Sequence, residues 1–262
     1  MRESGPSLTA RWVAAQRAQV ADRRPASPEG DTGAEDRLYR SFSRLFALPG
    51  MAPTAMAART EFFDEETMAA LERGISQIVI VGAGYDGRAL RFRSPGVRWI
   101  EVDHPATQPD KRSRLEQLGV AVDHISFAPV DLLKDDLGDA LAAVGHNDAA
   151  PSLFMCEGLL AYLPRETAER MCAALRRRAH PQSVLAVNFR VAPQTDPVRR
   201  SLRAAIDGVL SVIGEHRLND FGPGDGESLL EASGWRVVRR HASTPGWIDG
   251  GAHLLVVAAT PA

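Results

Sequence analysis

Residues able to hold a ligand recur in this chain at the ends of apolar runs: the turn Gly82-Ala83-Gly84-Tyr85-Asp86-Gly87, then Asp103, Asp131, Glu157 and Arg190. The glycines follow a G-x-G-x-x-G pattern, and Asp103 lies 21 positions after Gly82. Such a turn brings the backbone close to a ligand, and an acid at that interval accepts bonds from the two hydroxyls of a ribose. The pattern is that of a nucleotide-cofactor site and leaves the cofactor open. Asp86 bears on the choice. A pyrophosphate needs the N–H groups of the turn and of the helix that follows, and a carboxylate among them repels it. S-adenosylmethionine has no phosphate and carries a sulfonium and an ammonium, so an acid there is tolerable or useful. The motif therefore favours the methyl donor over a nicotinamide dinucleotide, although Asp86 can also cap the following helix. Asp131 is placed to take the exocyclic amine of adenine, with Leu132 offering a backbone N–H and an apolar contact. Any one of these acids alone reads as a cap or a solvated turn. Their succession on consecutive strands is what points to a site.

A scaffold that delivers strand ends to one place is needed, and the hydrophobic pattern describes one. Apolar runs at 77–81, 97–102, 125–130, 152–156 and 183–189 alternate with amphipathic helical spacings at 111–118, 137–144 and from Pro164 onward. A pair of runs at 235–241 and 253–259 closes the chain as a hairpin, after a helix at 227–233. Three helices, at 7–22, 35–48 and 54–73, precede the first strand, with a Pro-, Gly- and Ser-rich loop over 23–34. The expectation is a doubly wound, mostly parallel, seven-stranded, Rossmann-like α/β sheet under an N-terminal helical cap, with a C-terminal antiparallel hairpin that suits a methyltransferase sheet better than the usual dinucleotide order. Residues 1–53 form the expected cap or lid, and 54–262 the cofactor-binding domain, with a lid insertion around 191–226 and a helix within it at 198–213.

A length of 262 residues with 44% apolar content suits one elaborated domain with a full core. A net charge of −2, with arginines interspersed among acids, gives no footprint for nucleic acid. No apolar run reaches membrane-spanning length and no secretory leader is evident, so the chain reads as cytoplasmic. Cys156 and Cys172 fall on a buried-looking strand and an apolar helix face, which predicts reduced packing residues. No His/Cys/Asp/Glu spacing suggests a metal, and no nucleophile elbow suggests a hydrolase. A homodimer is compatible with this composition.

Several blocks in order resemble the leucine carboxyl methyltransferase family, including its bacterial members: Arg59-Thr60-Glu61-Phe62-Phe63-Asp64, the GAGYDGR turn, Glu101-Val102-Asp103-His104-Pro105, Pro129-Val130-Asp131-Leu132 and Glu157 to Leu163. The resemblance spans about residues 54–190. It implies a class I methyltransferase fold and S-adenosylmethionine, with Arg59 on the donor's carboxylate, Gly82, Asp103, Asp131 and Leu132 on the rest of the donor, and Glu157 near its methionine end. Ala83, Gly84, Asp86 and His104, in the same blocks, complete the expected cofactor set. The family often has Thr where this chain has Gly87, which implies one side-chain hydrogen bond fewer at the turn.

Residues 1–53 and 191–251 have no such counterpart and would build the acceptor pocket. A small-molecule acceptor is therefore preferred to a protein C-terminal leucine. Methyl transfer from a sulfonium depends on positioning and exclusion of water. A carboxylate acceptor needs no base, whereas a phenol, enol or hydroxyl benefits from one. Glu157, Tyr162 and His241 are the candidate catalytic groups, with His216 a further histidine. Tyr162 and Arg190 are the candidate acceptor contacts, Arg190 for an acidic acceptor. Each has a plainer role: Glu157 holding the donor's ammonium, Tyr162 packing, the histidines and Arg190 lying at the surface. O-methylation in bacterial secondary metabolism is the expected function. C- or N-methylation, a nicotinamide oxidoreductase, and a non-catalytic donor-binding protein are the alternatives.

Overall fold

A computed structural model of the protein describes residues 6–18, 24–43, 54–191, 218–219, 221–242 and 252–261. The element order is α1 (Leu8–Arg17), α2 (Thr32–Ser43), α3 (Thr54–Glu72), β1 (Gln77–Val81), α4 (Arg88–Arg91), β2 (Arg98–Asp103), α5 (Gln108–Gln117), β3 (Ile125–Pro129), α6 (Leu137–Ala143), β4 (Ser152–Cys156), α7 (Arg165–Arg177), β5 (Val184–Val191), α8 (Asp225–Ala232), β6 (Arg236–Ala242) and β7 (Ala252–Ala259). A single 3₁₀ turn, Leu160–Tyr162, follows β4.

The seven strands form one sheet in the order β3-β2-β1-β4-β5-β7-β6. β1 to β5 are parallel, and β7 runs antiparallel between β5 and β6. The chain winds outward through β1, β2 and β3, then returns to lay β4 beside β1. The order thus reverses between β1 and β4, where open α/β sheets receive their ligands at the carboxyl ends.

Alternation along the strands divides the core into two layers. Ile78 and Ile80 of β1, Leu153 and Met155 of β4, Ala186 of β5 and Leu255 and Val257 of β7 pack with Leu38, Phe42, Phe62 and Phe63 of α2 and α3. Val79, Val81, Phe154, Cys156, Leu185 and Val187 face the other way, onto Leu141, Met171, Leu175, Leu229 and Leu230 of α6, α7 and α8. Strands buried on both faces explain why the sequence shows continuous apolar runs rather than alternation.

Expected elements and observed ones agree closely, and the differences have local causes. α2 begins at Thr32 inside the expected loop, because the Asp31 carboxylate accepts the Ala34 N–H at 2.7 Å and supplies a cap. α4 is only four residues long. Cys156 and Cys172 are both buried and unbonded. The helix expected at 198–213 and the candidate His216 lie outside the described residues. Among the described residues no helix is long and apolar enough to cross a membrane.

Candidate functional site

The turn after β1 is built on left-handed glycines: φ is 72° at Gly82 and 51° at Gly84. Space is as restrictive as conformation. A Cβ on Gly82 would lie 2.9 Å from Leu159 Cδ1, and one on Gly84 would lie 3.0 Å from the Ala10 Cβ, so α1 crosses directly over the turn. Gly87 has φ −102°, open to any residue, yet a Cβ there would meet Glu35 Cγ at 2.4 Å. The expected loss of a hydrogen bond at this position is made good from α2, since the Gly87 N–H donates to the Tyr39 hydroxyl at 2.9 Å.

The backbone N–H groups of the turn are directed inward. Those of Gly82 and Ala83 donate to the Val102 carbonyl at 2.9 and 3.0 Å, and that of Asp86 to the Ala83 carbonyl at 2.8 Å. The Gly84 N–H donates to Asp103 Oδ2, and the Arg88 N–H to Asp86 Oδ1 at 2.8 Å. With Gly87 bound to Tyr39, the start of α4 offers a carboxylate and a hydroxyl where a phosphate would need free amides.

Asp103, half-buried at the end of β2, also accepts the His104 N–H at 2.6 Å through Oδ1. Burial raises its pKa, opposed by these two N–H donors. His104 Nδ1 accepts the Ala106 N–H at 3.1 Å, and its Nε2 lies 3.9 Å from Asp131 Oδ2. Asp131 accepts from Leu133 N at 3.1 Å and Lys134 Nζ at 3.0 Å. Burial raises its carboxyl, and Lys134 and the Leu133 N–H outweigh that to hold it below its ordinary value. Leu132 beside it is half-buried against the α7 layer.

Glu157, at the end of β4, is the focus of a buried ion network. Its Oε1 meets Arg17 Nη2 at 2.8 Å and Arg59 Nε at 2.9 Å, and its Oε2 meets Arg88 Nη1 at 2.6 Å. Asp86 meets Arg88 Nη1 at 2.5 Å and Arg17 Nη1 at 3.2 Å. Three guanidiniums thus converge on two carboxylates. Burial alone would raise both acids. Arg17, Arg88 and Arg59 instead hold Glu157 well below the carboxylate range, and Arg88 and Arg17 hold Asp86 below it. Arg88 continues the network to Asp64 at 2.7 Å, and Arg91 links Asp64 to Glu35 at 2.7 Å each. Beneath the turn, Lys111 donates to Glu101 Oε2 at 2.5 Å and to the Asp86 carbonyl at 2.7 Å.

The structure therefore brings Arg59, the glycine turn, Asp86, Asp103 and Glu157 together, with His104 and Asp131 on the adjoining strand ends. The remaining candidates lie on later elements. Tyr162 is half-buried on the 3₁₀ turn after β4. Arg190 is 5% exposed on β5, in register with His253 on β7. His241 is exposed on the edge strand β6, three strands from β4, a separation of about 14 Å at the usual strand spacing. Arg17, Arg88 and Lys111 were missed in the sequence reading. Only the GAGYDGR block, which contains Arg88, carried any signal of them.

The cluster suits an amino-acid group. The buried Arg17 Nε has no hydrogen-bond partner among the described residues, a donor that a carboxylate would meet. Asp103, with both oxygens directed by backbone N–H groups, keeps lone pairs for a ribose diol. These residues fit S-adenosylmethionine.

The family model for leucine carboxyl methyltransferase matches residues 12–176, so the likeness reaches into the 1–53 segment, where no counterpart was expected, and stops short of residue 190. A protein of Mycobacterium sp. (strain JLS), inferred to be an S-adenosyl-L-methionine-dependent methyltransferase, is 36% identical over 233 residues, covering 78% of this chain and 74% of its own. A counterpart in Parafrankia sp. (strain EAN1pec) is 36% identical over 154 residues, 55% of this chain and 47% of its own. The chain thus spans about half the length of several curated relatives it matches. Among solved structures, a protein from Thermobifida fusca YX inferred to be a methyltransferase superposes with a TM-score of 0.58 at 16% identity, covering 99% of this chain and 97% of that one. Magnesium protoporphyrin IX methyltransferase from Synechocystis PCC 6803 with bound S-adenosylhomocysteine gives 0.53 at 12% identity, covering 94% and 93%. At those identities the likeness is one of fold: the open α/β sheet of class I methyltransferases.

Proposed function

Given that the chain belongs to the leucine carboxyl methyltransferase family, we propose that it is an S-adenosylmethionine-dependent methyltransferase acting on a small-molecule acceptor, at oxygen. The observation that carries the reading is the hydrogen bonding of the glycine turn. Its amides are spent on Val102, Ala83, Asp103, Tyr39 and Asp86, which suits a cationic, phosphate-free cofactor and disfavours a dinucleotide.

When bound, S-adenosylmethionine supplies a methyl group activated by its sulfonium. The chain's residues position and enclose it. Asp103 takes the ribose hydroxyls, Asp131 and Leu132 the adenine, Arg59 and Arg17 the carboxylate, and Glu157 the ammonium. Glu157, held ionised by its arginines, is a poor proton acceptor at neutral pH and a good partner for a cation. That favours an acceptor already nucleophilic, a carboxylate before a hydroxyl. Tyr162 and Arg190, at the ends of β4 and β5, are the proposed acceptor contacts, and α1, lying over the turn, excludes water. His241 is reserved for an acceptor that reaches the sheet edge.

Calorimetric titration with S-adenosylhomocysteine and with NAD, on the wild type and Asp103→Ala, tests the reading. S-adenosylhomocysteine should bind, NAD should not, and Asp103→Ala should abolish or severely weaken binding. NAD binding alone would refute it.

A further inference from the structure

Glu157 is presented by a loop that β5 holds from below. Gly158, next in the chain, has φ 68°, and a Cβ on it would lie 3.5 Å from Arg59 Nη1. The Gly158 N–H, beyond the end of β4, donates to Asn188 Oδ1 at 2.6 Å. Asn188 is 3% exposed, in the layer that otherwise carries Ala186, Leu255 and Val257. A buried amide among such residues costs free energy unless both its ends are satisfied. The second end is met by His253, whose Nδ1 lies 3.0 Å from Asn188 Nδ2.

The chemistry of the two ends fixes the orientation. The Gly158 N–H requires the oxygen, so the amino group faces His253 and donates to Nδ1. The imidazole is then an acceptor at Nδ1 and, when neutral, carries its proton on Nε2. Because His253 opposes Arg190 in the β5–β7 register and Asn188 lies two residues before Arg190, all three share one face of the sheet. A chain of two hydrogen bonds thus runs from β7, through β5, to the residue after Glu157.

We propose that Asn188, oriented by His253, is a positioning residue for the donor site: it holds Gly158 so that the Glu157 carboxylate meets Arg59, Arg17 and Arg88. This rests on the donor-site reading above. An apolar residue at 188 would pack equally well in its layer but would leave the Gly158 amide without an acceptor, freeing the loop and separating Glu157 from its cations.

The test is titration of the full chain with S-adenosylhomocysteine, with melting temperatures recorded in parallel. Asn188→Ala should bind about tenfold or more weakly. Asn188→Asp keeps the oxygen that Gly158 needs and turns a second acceptor toward His253, which meets it by carrying its proton on Nδ1, so the variant should stay within about threefold of wild type. Gly158→Ala should weaken binding as Asn188→Ala does, through backbone strain. A residue that merely stabilises the sheet would lower the melting temperature of Asn188→Ala and leave its affinity unchanged, and that result overturns the proposal. Should Asn188→Ala not fold, Gly158→Ala decides, and wild-type affinity in it overturns the proposal too. Wild-type protein that binds no S-adenosylhomocysteine sinks the donor-site reading, and this proposal with it. Binding in the wild type together with unchanged affinity in the variants sinks the proposal alone.

Discussion

Lys111→Met removes one charge from beneath the glycine turn. Lys111 and Glu101 are each 1% exposed, and the ammonium is 2.5 Å from Glu101 Oε2 and 2.7 Å from the Asp86 carbonyl. Glu101 Oε1 has no hydrogen-bond partner among the described residues. Burial already pushes the Glu101 carboxyl up, with Lys111 opposing it. Methionine keeps most of the volume and leaves the carboxylate buried without its cation, at a cost of about 3–5 kcal/mol. In a chain of 262 residues that lowers the melting temperature by about 6–20 °C. The pH dependence has a defined sign. With its cation gone, Glu101 titrates still higher in the folded state, so between the unfolded and folded values the native chain binds a proton the unfolded chain has released. Stability of the variant therefore falls as pH rises through that window, and its deficit against wild type is smaller at pH 5 than at pH 8. Adding Glu101→Gln removes the unpaired charge and should recover most of the stability. The Asp86 carbonyl lacks its donor in the single and the double variant alike, so S-adenosylhomocysteine affinity should fall below wild type in both. Calorimetric melting from pH 5 to 8 is the assay. A single variant melting within about 2 °C of wild type at pH 8, or a deficit that does not shrink toward acid, would refute the reasoning.

Arg17→Gln removes contacts at 2.8 and 3.2 Å to Glu157 and Asp86, leaving Arg59 and Arg88 in place, so the fold should persist while S-adenosylhomocysteine affinity drops about tenfold in a titration. Unchanged affinity would remove α1 from the site. Gly87→Ala places a methyl 2.4 Å from Glu35 Cγ without backbone strain and should cost about 1–3 kcal/mol by denaturant unfolding; because Glu35→Ala also takes a carboxylate from buried Arg91, the relief of the clash shows as a smaller cost of Gly87→Ala in the Glu35→Ala background. At the opposite pole, burial and then Arg178 push His146 down to about 4, where it bonds Ser152 Oγ at 2.9 Å. Above its unfolded pKa of about 6.5 its contribution is complete, and it is lost as pH falls toward the folded value, by about 1–2 kcal/mol. Comparison of urea unfolding for wild type and His146→Gln between pH 7 and pH 4 should show a shallower decline in the variant.

The sheet was legible because strands covered on both faces leave apolar runs that need no partner to be recognised, and because glycines and acids stand where those runs stop. Asp103 and Glu157 could be placed for that reason alone. Arg17 and Lys111 could not. An arginine on an amphipathic helix has the same local signature whether it ends in solvent or, as here, between Asp86 and Glu157. What distinguishes the two is the path of α1 over Gly84, a tertiary fact set by Ala10 being small enough to sit there. His241 shows the converse. Its position near the end of a late strand was legible, but not that this strand is the sheet's outer edge, because β7 inserts between it and β5.

Gly87 shows why the turn pattern alone could not choose the cofactor. In a dinucleotide site the third glycine lets the helix pack close to the strand and leaves its N-terminal amides free for phosphate. Here the glycine makes room for Glu35 and Tyr39 of α2, and Tyr39 takes the very amide a phosphate would use. Asp86 takes the next one and is itself neutralised by Arg88 and Arg17. The helix start is thereby closed to anions, while the buried Arg17 Nε a few ångströms away has no partner among the described residues. A ligand that meets both conditions carries its anion at one end, as an amino-acid carboxylate, and no phosphate in the middle. The shared glycine spacing records only that the backbone comes close. The side chains that α1 and α2 insert around it decide what it comes close to.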